Sequence, residues 1–595
     1  MMQRTIVGGT DRAGSWHPGT TTSSADATEQ RVLRFGILCP GTLLQEWQAD
    51  AVRQLIALGD VEAAVLIVDD AAAAPPDPIG RSPLRRALFR LCAHGTGAPS
   101  ATRPARPIGA LASLPTLRCA SSSTLRAAGL FSADDVHTVR AFDLDFILYF
   151  GADPVRGDML GAARFGIWAF VDSNGETDRR EPPCWWEIYD RHPVVGAMLE
   201  RLTERDDAGI ILRKGTVKVV DWSYAKSVDA LYFESARWPA QVCRDLQAGV
   251  ADDLTAEPTP IGTRVAHAPH ALQLARFAGL TLTQRGLQIA RKHLQYDHWR
   301  VGVIDAPIHA FLDPHALPSV RWLSPLRYGE FLADPFAVVR DGRLTVMCER
   351  FDYTTQRGTI TSFDASADGQ TRDEQVSIGP DVHLSYPYLV EHEGSVYCIP
   401  ETCHAREIAL YRAESFPRRW VKVTTLVPDF AGVDATVFQH EGRWWLACAD
   451  DDRMPNQRLL LWYAPDLLGP WQPHAGNPVK TDIRSARPAG TPFLYEGALY
   501  RPAQDCSRGY GDRVVINRVT RLDPRTFREE PAAVIDPSML GLNAIGIHTI
   551  SAAGAMTLID AKWKKLMPQL AVRTALGPYM HRQSRTRTPT AASTP

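Results

Sequence analysis

This 595-residue chain predicts a doubly wound α/β unit followed by an all-β five-bladed propeller, and three observations carry that reading. The C-terminal half repeats one hairpin five times: an apolar strand, a Gly-containing turn, and a second apolar strand that ends on a polar or acidic residue. The N-terminal half alternates short apolar strands with helical stretches, the pattern of a parallel sheet with crossover helices. Between the halves, a stretch carrying Pro and Gly leads into one long amphipathic helix.

Taken in order, residues 1–31 are rich in Gly, Ser and Thr without periodicity and read as an unstructured tail. RVLRFGILCP reads as a buried strand, residues 44–58 as a helix and AAVLIVDD as a second strand, a βαβ beginning. Residues 71–115, with many Pro, Ala and Arg, read as a surface insert. The pattern resumes with FDLDFILYFG, a helix near Leu160, the strand GIWAF, the helical run PVVGAMLERLTER and the strand GIILRKG. A helix over residues 224–246 closes an α/β domain spanning 32–246, and residues 247–297 form a connector around a helix at 271–294.

The propeller is expected over 298–578, followed by a second tail at 579–595. Its hairpins turn at Gly342, Gly394, Gly442, Gly497 and, more weakly, Gly554, at spacings of 52, 48, 55 and 57 residues. Such a period fits a blade of four strands. The strand WRVGVID, just before the first hairpin, is placed to complete the last blade and close the ring.

Composition narrows the function. Hydrophobic residues make up 45% and charged residues 22%, ordinary for globular protein. A formal net charge of −2 supplies no global field for a polyanion, which argues against nucleic acid or an anionic membrane surface as the main partner and leaves local patches open. The scattered cysteines predict reduced, buried thiols and no metal knuckle. Neither a signal-like start nor a span of about 18 uncharged apolar residues is present, so a cytoplasmic protein without an integral membrane span is expected. No GxGxxG follows the first strand, which disfavours a dinucleotide.

Residues 33–245 resemble the formyltransferase fold of enzymes that move a formyl group from 10-formyltetrahydrofolate to an amine. The resemblance is carried by ILYFG followed by MLGAARFG, by GIW, and by LTERDDAGIIL, in which Asp207, Ala208 and Gly209 match the family's Asp-x-Gly. It implies an Asn and a His two residues apart after GxW, polarising the formyl carbonyl, with the Asp orienting the His. Here those positions hold Ala169 and Val171, while Asp207 remains. Loss of a single oxyanion donor costs about 10²–10³ in rate, so a degenerate domain is expected and its cofactor stays unassigned. Asp172, Asn174, Glu176 and Asp178 crowd the following loop, either as replacements or as a solvated acidic loop.

In the second half, LADPFAV, LSYPYLVEHEGSVYCIPET, VDATVFQHEGRWWLACAD, ARPAGTPFLYEGALYRPAQDCSRGYGDRV and GIHTIS are similar to the propeller of glucosamine inositolphosphorylceramide transferases. The similarity covers about residues 298–565. At greater distance the ring resembles five-bladed glycoside hydrolases of the arabinanase and xylosidase type. That resemblance implies Asp334 as base and Asp434 as the group that tunes the acid. The blade-four acid is absent, Arg487 with Pro488, Ala489 and Gly490 standing there, and Glu401 of blade two is positioned to replace it.

Innermost strands of a propeller aim polar residues into a central funnel, so equivalent positions converge. The inner-strand candidates are Asp334, Ser385, Asp434, Arg487 and His548; those at the ends of the second strands are Glu349, Glu401, Asp450, Gln504 with Asp505, and Asp560. Arg508 and Tyr510, in a loop at the funnel mouth, are candidates for holding a sugar or phosphate. Trp444, Trp445, Trp462 and Trp471 are either a sugar-stacking platform or core. His383, His404 and His548 lack metal-ligand spacing. The expected partner is a sugar, nucleotide sugar or glycolipid head group. Three readings stand open: a transferase of cell-surface glycan or glycolipid assembly, a propeller hydrolase using Asp334, Asp434 and Glu401, and a non-catalytic glycan-binding scaffold of unassigned oligomeric state.

Overall fold

The computed structural model describes residues 31–566 apart from 71–85, 88, 91–96, 120, 152, 174–178, 250–255, 261–263, 267–268, 314, 316–318, 325, 367–370, 379–381 and 542. Residues 1–30 and 579–595 of the expected tails lie outside the described residues, as do 567–578 of the expected propeller and Asn174, Glu176 and Asp178.

Short β-branched and aromatic runs in the first half form a sheet of eight strands: β1 (Leu33–Cys39), β2 (Val61–Val68), β3 (Thr116–Arg118), β4 (Phe146–Tyr149), β5 (Ile167–Val171), β6 (Val194–Arg201), β7 (Ala208–Lys218) and β8 (Thr259–Pro260). Their order is β3-β2-β1-β4-β5-β6-β7-β8, with the first five parallel and the rest antiparallel. Helices α1 (Glu46–Ile56), α2 (Tyr224–Ser235) and α3 (Trp238–Gln247) contribute to the apolar layer on one face, and a second layer around Val136, Met159 and Ile167 covers the other. The doubly wound sheet is therefore present.

Three local expectations are corrected. The run PVVGAMLERLTER is not helical: Val195 to Glu200 are all buried, and this two-sided burial makes β6 a strand, since apolar period cannot separate a buried strand from a helix. The helix expected over 224–246 breaks between α2 and α3, where Pro239 opens the second helix. The stretch near Leu160 forms only a 3-10 turn, Gly157–Gly161. The insert is also less superficial than its composition suggests, because Ala101 is fully buried and its N–H donates to Asp229 Oδ1 at 2.8 Å.

Five sheets make the ring. Blades one to four read inner strand to outer: Glu330–Arg340 to Thr371–Ile378, Ser385–His392 to Arg419–Pro428, Gly432–His440 to Gln472–Pro473, and Phe493–Tyr495 to Phe527–Ile535. Blade five joins the two ends of the ring, since Gln295–Ile304 pairs antiparallel with Met556–Leu566 along its whole length. The strand containing WRVGVID thus closes the circle, as its position predicted. Every hairpin turn glycine takes a positive φ, 73° at Gly342 and 75° at Gly394 and Gly442, which a side chain would strain.

The two halves are welded. Glu234 of α2 and Arg458 of blade three form a buried ion pair, with Thr481 Oγ1 donating to Glu234 at 3.1 Å. The Ile483 N–H donates to the Thr216 carbonyl of β7 at 3.0 Å, and Lys218 Nζ donates to the Cys506 carbonyl at 3.4 Å. The long helix α4 (Ala271–Leu294) runs from the α/β sheet straight into the closing strand of blade five.

Candidate functional site

The site is built on bulges. In blades one, two and three the inner strand shifts register between Ala333 and Phe336, Ser385 and Tyr388, and Val433 and Thr436. At these shifts Asp334, Tyr386 and Asp434 take positive φ of 51°, 43° and 51°. A bulge leaves one residue out of the ladder and re-aims its side chain. The repeated geometry corrects one expectation: blade two presents Tyr386, not Ser385, at the equivalent position, because ADPF aligns with SYPY through its proline. Tyr386 OH shares a hydrogen bond of 2.8 Å with Thr436 Oγ1 and accepts one of 2.8 Å from the Gly490 N–H of blade four.

Residues far apart in sequence meet on the funnel floor, where Asp334, Glu349, Glu401, Asp434, Arg487, Gln504 and His548 are all buried. Asp434 is held by Arg487, Nε to Oδ2 at 2.5 Å and Nη2 to Oδ1 at 3.2 Å, and by Gln504 Nε2 at 2.7 Å. Its own N–H donates to Glu401 Oε2 at 3.2 Å. Asp334 accepts from Thr549 Oγ1 at 2.7 Å and lies 3.3 Å from His548 Nε2, while its N–H donates to Asp560 Oδ2 at 3.1 Å. His548 Nδ1 is 2.7 Å from Asp560, and its ring stacks on Trp299 at 3.9 Å.

Electrostatics follow from this crowding. Burial raises Glu401 to about 8, and the Asp434 carboxylate adds to it against the pull of Arg487. Burial also raises Asp334 to about 6, with His548 opposing and Asp434 and Asp560 adding. Glu349 is pushed well up by burial and by the charges of Asp334 and Glu401. Burial opposes a charge on His548, yet the carboxylates of Asp560 and Asp334 outweigh it and raise its affinity for a proton. Of the two, Glu401 is raised further than Asp334, the order expected of a proton donor and a proton acceptor on one floor.

Other candidates play different parts. Asp207 sits on an exposed turn, paired with Arg205 at 3.0 Å, away from the funnel. Asp505 accepts from the Ser507 N–H at 2.9 Å, and Asp450 accepts from the Asp452 N–H at 3.0 Å, so both cap turns next to the funnel. Arg508 is exposed and paired with Asp512 at 2.9 Å. Tyr510 stands at the mouth, 37% exposed, with the Arg487 guanidinium 5.1 Å from its ring centre. Trp444, Trp445 and Trp462 are buried between strands and Trp471 packs against them, so these tryptophans are core. His404 is exposed, and His383 accepts from the Gly358 N–H at 2.8 Å. Sequence reasoning passed over Tyr386, Thr549 and Trp299; the bulge alignment would have found the first, and nothing in spacing marks the other two.

Asp334, His548 and Asp560 offer three ligand atoms within 4.8 Å of one another, donors suited to a divalent cation, although the same groups also satisfy each other. Apolar packing surrounds the positions at which the resembled formyltransferases carry Asn and His. Val171 packs against Met198 and Ile211, Ala169 lies in an apolar cluster, and Trp47, Phe150 and Phe170 fill the opposite side of the strand. Asp172 accepts from Tyr232 OH at 3.1 Å.

Comparison with known proteins places the second half. Residues 324–567 match the family described as glucosamine inositolphosphorylceramide transferase 1, N-terminal. Relatives of that name are 33% identical over 265 residues in Oryza sativa subsp. japonica, covering 43% of this chain and 35% of theirs, and 35% identical over 222 residues in Arabidopsis thaliana, covering 36% and 29%. The chain thus spans about a third of the length of these relatives. Among solved structures, a family 117 glycoside hydrolase of Zobellia galactanivorans is 14% identical, with 40% of this chain and 88% of that one covered at a TM-score of 0.30. Glycinamide ribonucleotide transformylase 1 of Symbiobacterium toebii is 17% identical, with 37% and 90% covered at 0.26. The chain joins a doubly wound α/β sheet to a five-bladed propeller that resembles the N-terminal region of glucosamine inositolphosphorylceramide transferases.

Proposed function

We propose that the propeller funnel binds the sugar portion of a glycolipid or glycan and that the protein is a transferase of glycolipid assembly, with the α/β unit as its rigid support. The observation that carries this reading is the convergence of Glu401, Asp334, Asp434 and Arg487, all buried, on one funnel floor. In a transfer step the bond from the anomeric carbon to its leaving oxygen breaks as Glu401 gives that oxygen a proton. An acceptor hydroxyl forms the new bond and releases its proton to Asp334. Asp434, neutralised by Arg487, positions Glu401 through its N–H. The relatives' name directs attention to glucosamine and inositolphosphoryl groups as first probes.

The test is calorimetric binding of glucosamine and inositol phosphate to the full chain, together with turnover of a glucosaminyl donor. Glu401→Gln is expected to keep sugar binding and reduce turnover at least about 10²-fold. Turnover unchanged in Glu401→Gln removes the proton-donor role, and absence of any sugar binding removes the reading. Binding without turnover in the wild-type chain favours the scaffold alternative.

A further inference from the structure

The helix α4 has a charge and exposure pattern that neither the fold nor the funnel uses. Its first three turns dock: Leu274, Phe277 and Thr281 are buried, with Phe277 stacked on Trp185 at 4.9 Å. Beyond Thr281 no residue of the helix is buried, although residues 282–294 continue for about 20 Å at 1.5 Å per residue. This free half carries Leu282 at 68% exposure, with Leu287, Ile289 and Leu294 also exposed. Arg285, Arg291 and Lys292 lie among them, and the entire 24-residue helix contains no Asp or Glu.

Apolar side chains held in water need a cover, and the charge pattern selects which one. A second copy of the same helix would bring cations against cations with no acidic residue to answer them. An anionic lipid surface answers both features, taking Leu282 and Ile289, seven residues apart on one helix face, into its interface and the flanking Arg285 and Lys292 against its head groups.

Topology sets where this surface would lie. In blades one to four, the loops joining second to third strands lie beyond Glu349, Glu401, Asp450 and Gln504, on the face where Arg458 and Cys506 also meet the α/β unit. In blade five the second strand is Met556–Leu566 and the third is Gln295–Ile304, and Gln295 pairs with Leu566. The helix therefore enters at the equivalent corner, six residues up the strand from the floor residue Asp560. Tyr353, in the blade-one loop of that face, donates through its hydroxyl to the Asp297 carbonyl at 3.1 Å.

We infer that residues 282–294 form an interfacial anchor for an anionic lipid surface. The inference stands on the helix alone and does not depend on what the funnel binds.

It is tested by co-sedimenting the full-length protein with phosphatidylcholine vesicles and with vesicles that also contain phosphatidylserine, neither carrying a sugar. Binding is expected to require phosphatidylserine and to weaken with salt. Arg285→Glu with Lys292→Glu is expected to lower the affinity about tenfold or more, and Leu282→Ser with Ile289→Ser to lower it likewise. All four side chains are exposed, so the thermal melts of both variants should match wild type, and a matched melt assigns the lost binding to the surface. The inference is overturned if phosphatidylserine vesicles do not bind, if neither double variant weakens binding, or if the wild-type chain is a dimer that the Leu282/Ile289 variant makes monomeric. Vesicle binding without sugar binding overturns the funnel reading alone; sugar binding without vesicle binding overturns only the anchor.

Discussion

The carboxyl end of β5 and the floor of the propeller funnel are both places where their folds usually hold chemistry, and they have opposite contents. Ala169 and Val171 on β5 are packed into apolar clusters beside an aromatic wall of Trp47, Phe150 and Phe170. The funnel floor gathers five buried carboxyl groups, those of Asp334, Glu349, Glu401, Asp434 and Asp560, with Arg487 paired to Asp434 and His548 set between Asp334 and Asp560. A backbone can keep its architecture while one end of its sheet is filled with core, because apolar side chains there satisfy packing without needing partners. A buried carboxylate cluster gives no such ease: each member must be protonated or paired, and each is.

The largest expected effect sharpens this contrast at Arg487. Arg487→Met leaves the Asp434 carboxylate, 2% exposed, without its cation, and should cost about 3–5 kcal/mol in urea unfolding. A loss below about 1 kcal/mol would show that the floor is effectively solvated. On the other side, Val171→His inserts a polar ring between Met198 and Ile211 and should cost about 1–3 kcal/mol without producing formyl transfer from 10-formyltetrahydrofolate. Detectable transfer to an amine would break the contrast.

The smallest effect is a pH slope. Glu401 is raised from 4.5 to about 8 and Asp334 from 3.8 to about 6 in the folded chain. A carboxyl that holds its proton more tightly when folded adds stability below its unfolded pKa and loses it as pH rises through the folded one. Melting temperature should therefore fall between about pH 4 and pH 8, with Glu401→Gln flattening the upper part. A wild-type melt that is level across this range would contradict the raised affinity.

Legibility followed the range of the interactions. The five turn glycines and the closing strand were visible because a hairpin is local and its repeat is regular. Strand β6 was not, since a run buried on both faces has no period to separate it from a helix. Asp334, Glu401, Asp434 and Arg487 could be named as candidates from their places in the repeats. Their pairing could not, because which carboxylate takes the arginine and which takes the proton depends on separations across four different blades. Asp207 matched a motif, but the turn that carries it faces solvent.

The way the ring is closed has a further consequence for how the chain is made. Gln295–Ile304 has its partner in Met556–Leu566, more than 250 residues later. During translation the α/β unit and four blades leave the ribosome before that partner exists, and the waiting strand presents an unpaired edge throughout. The growing polypeptide is thus exposed to mispairing until Met556–Leu566 is added.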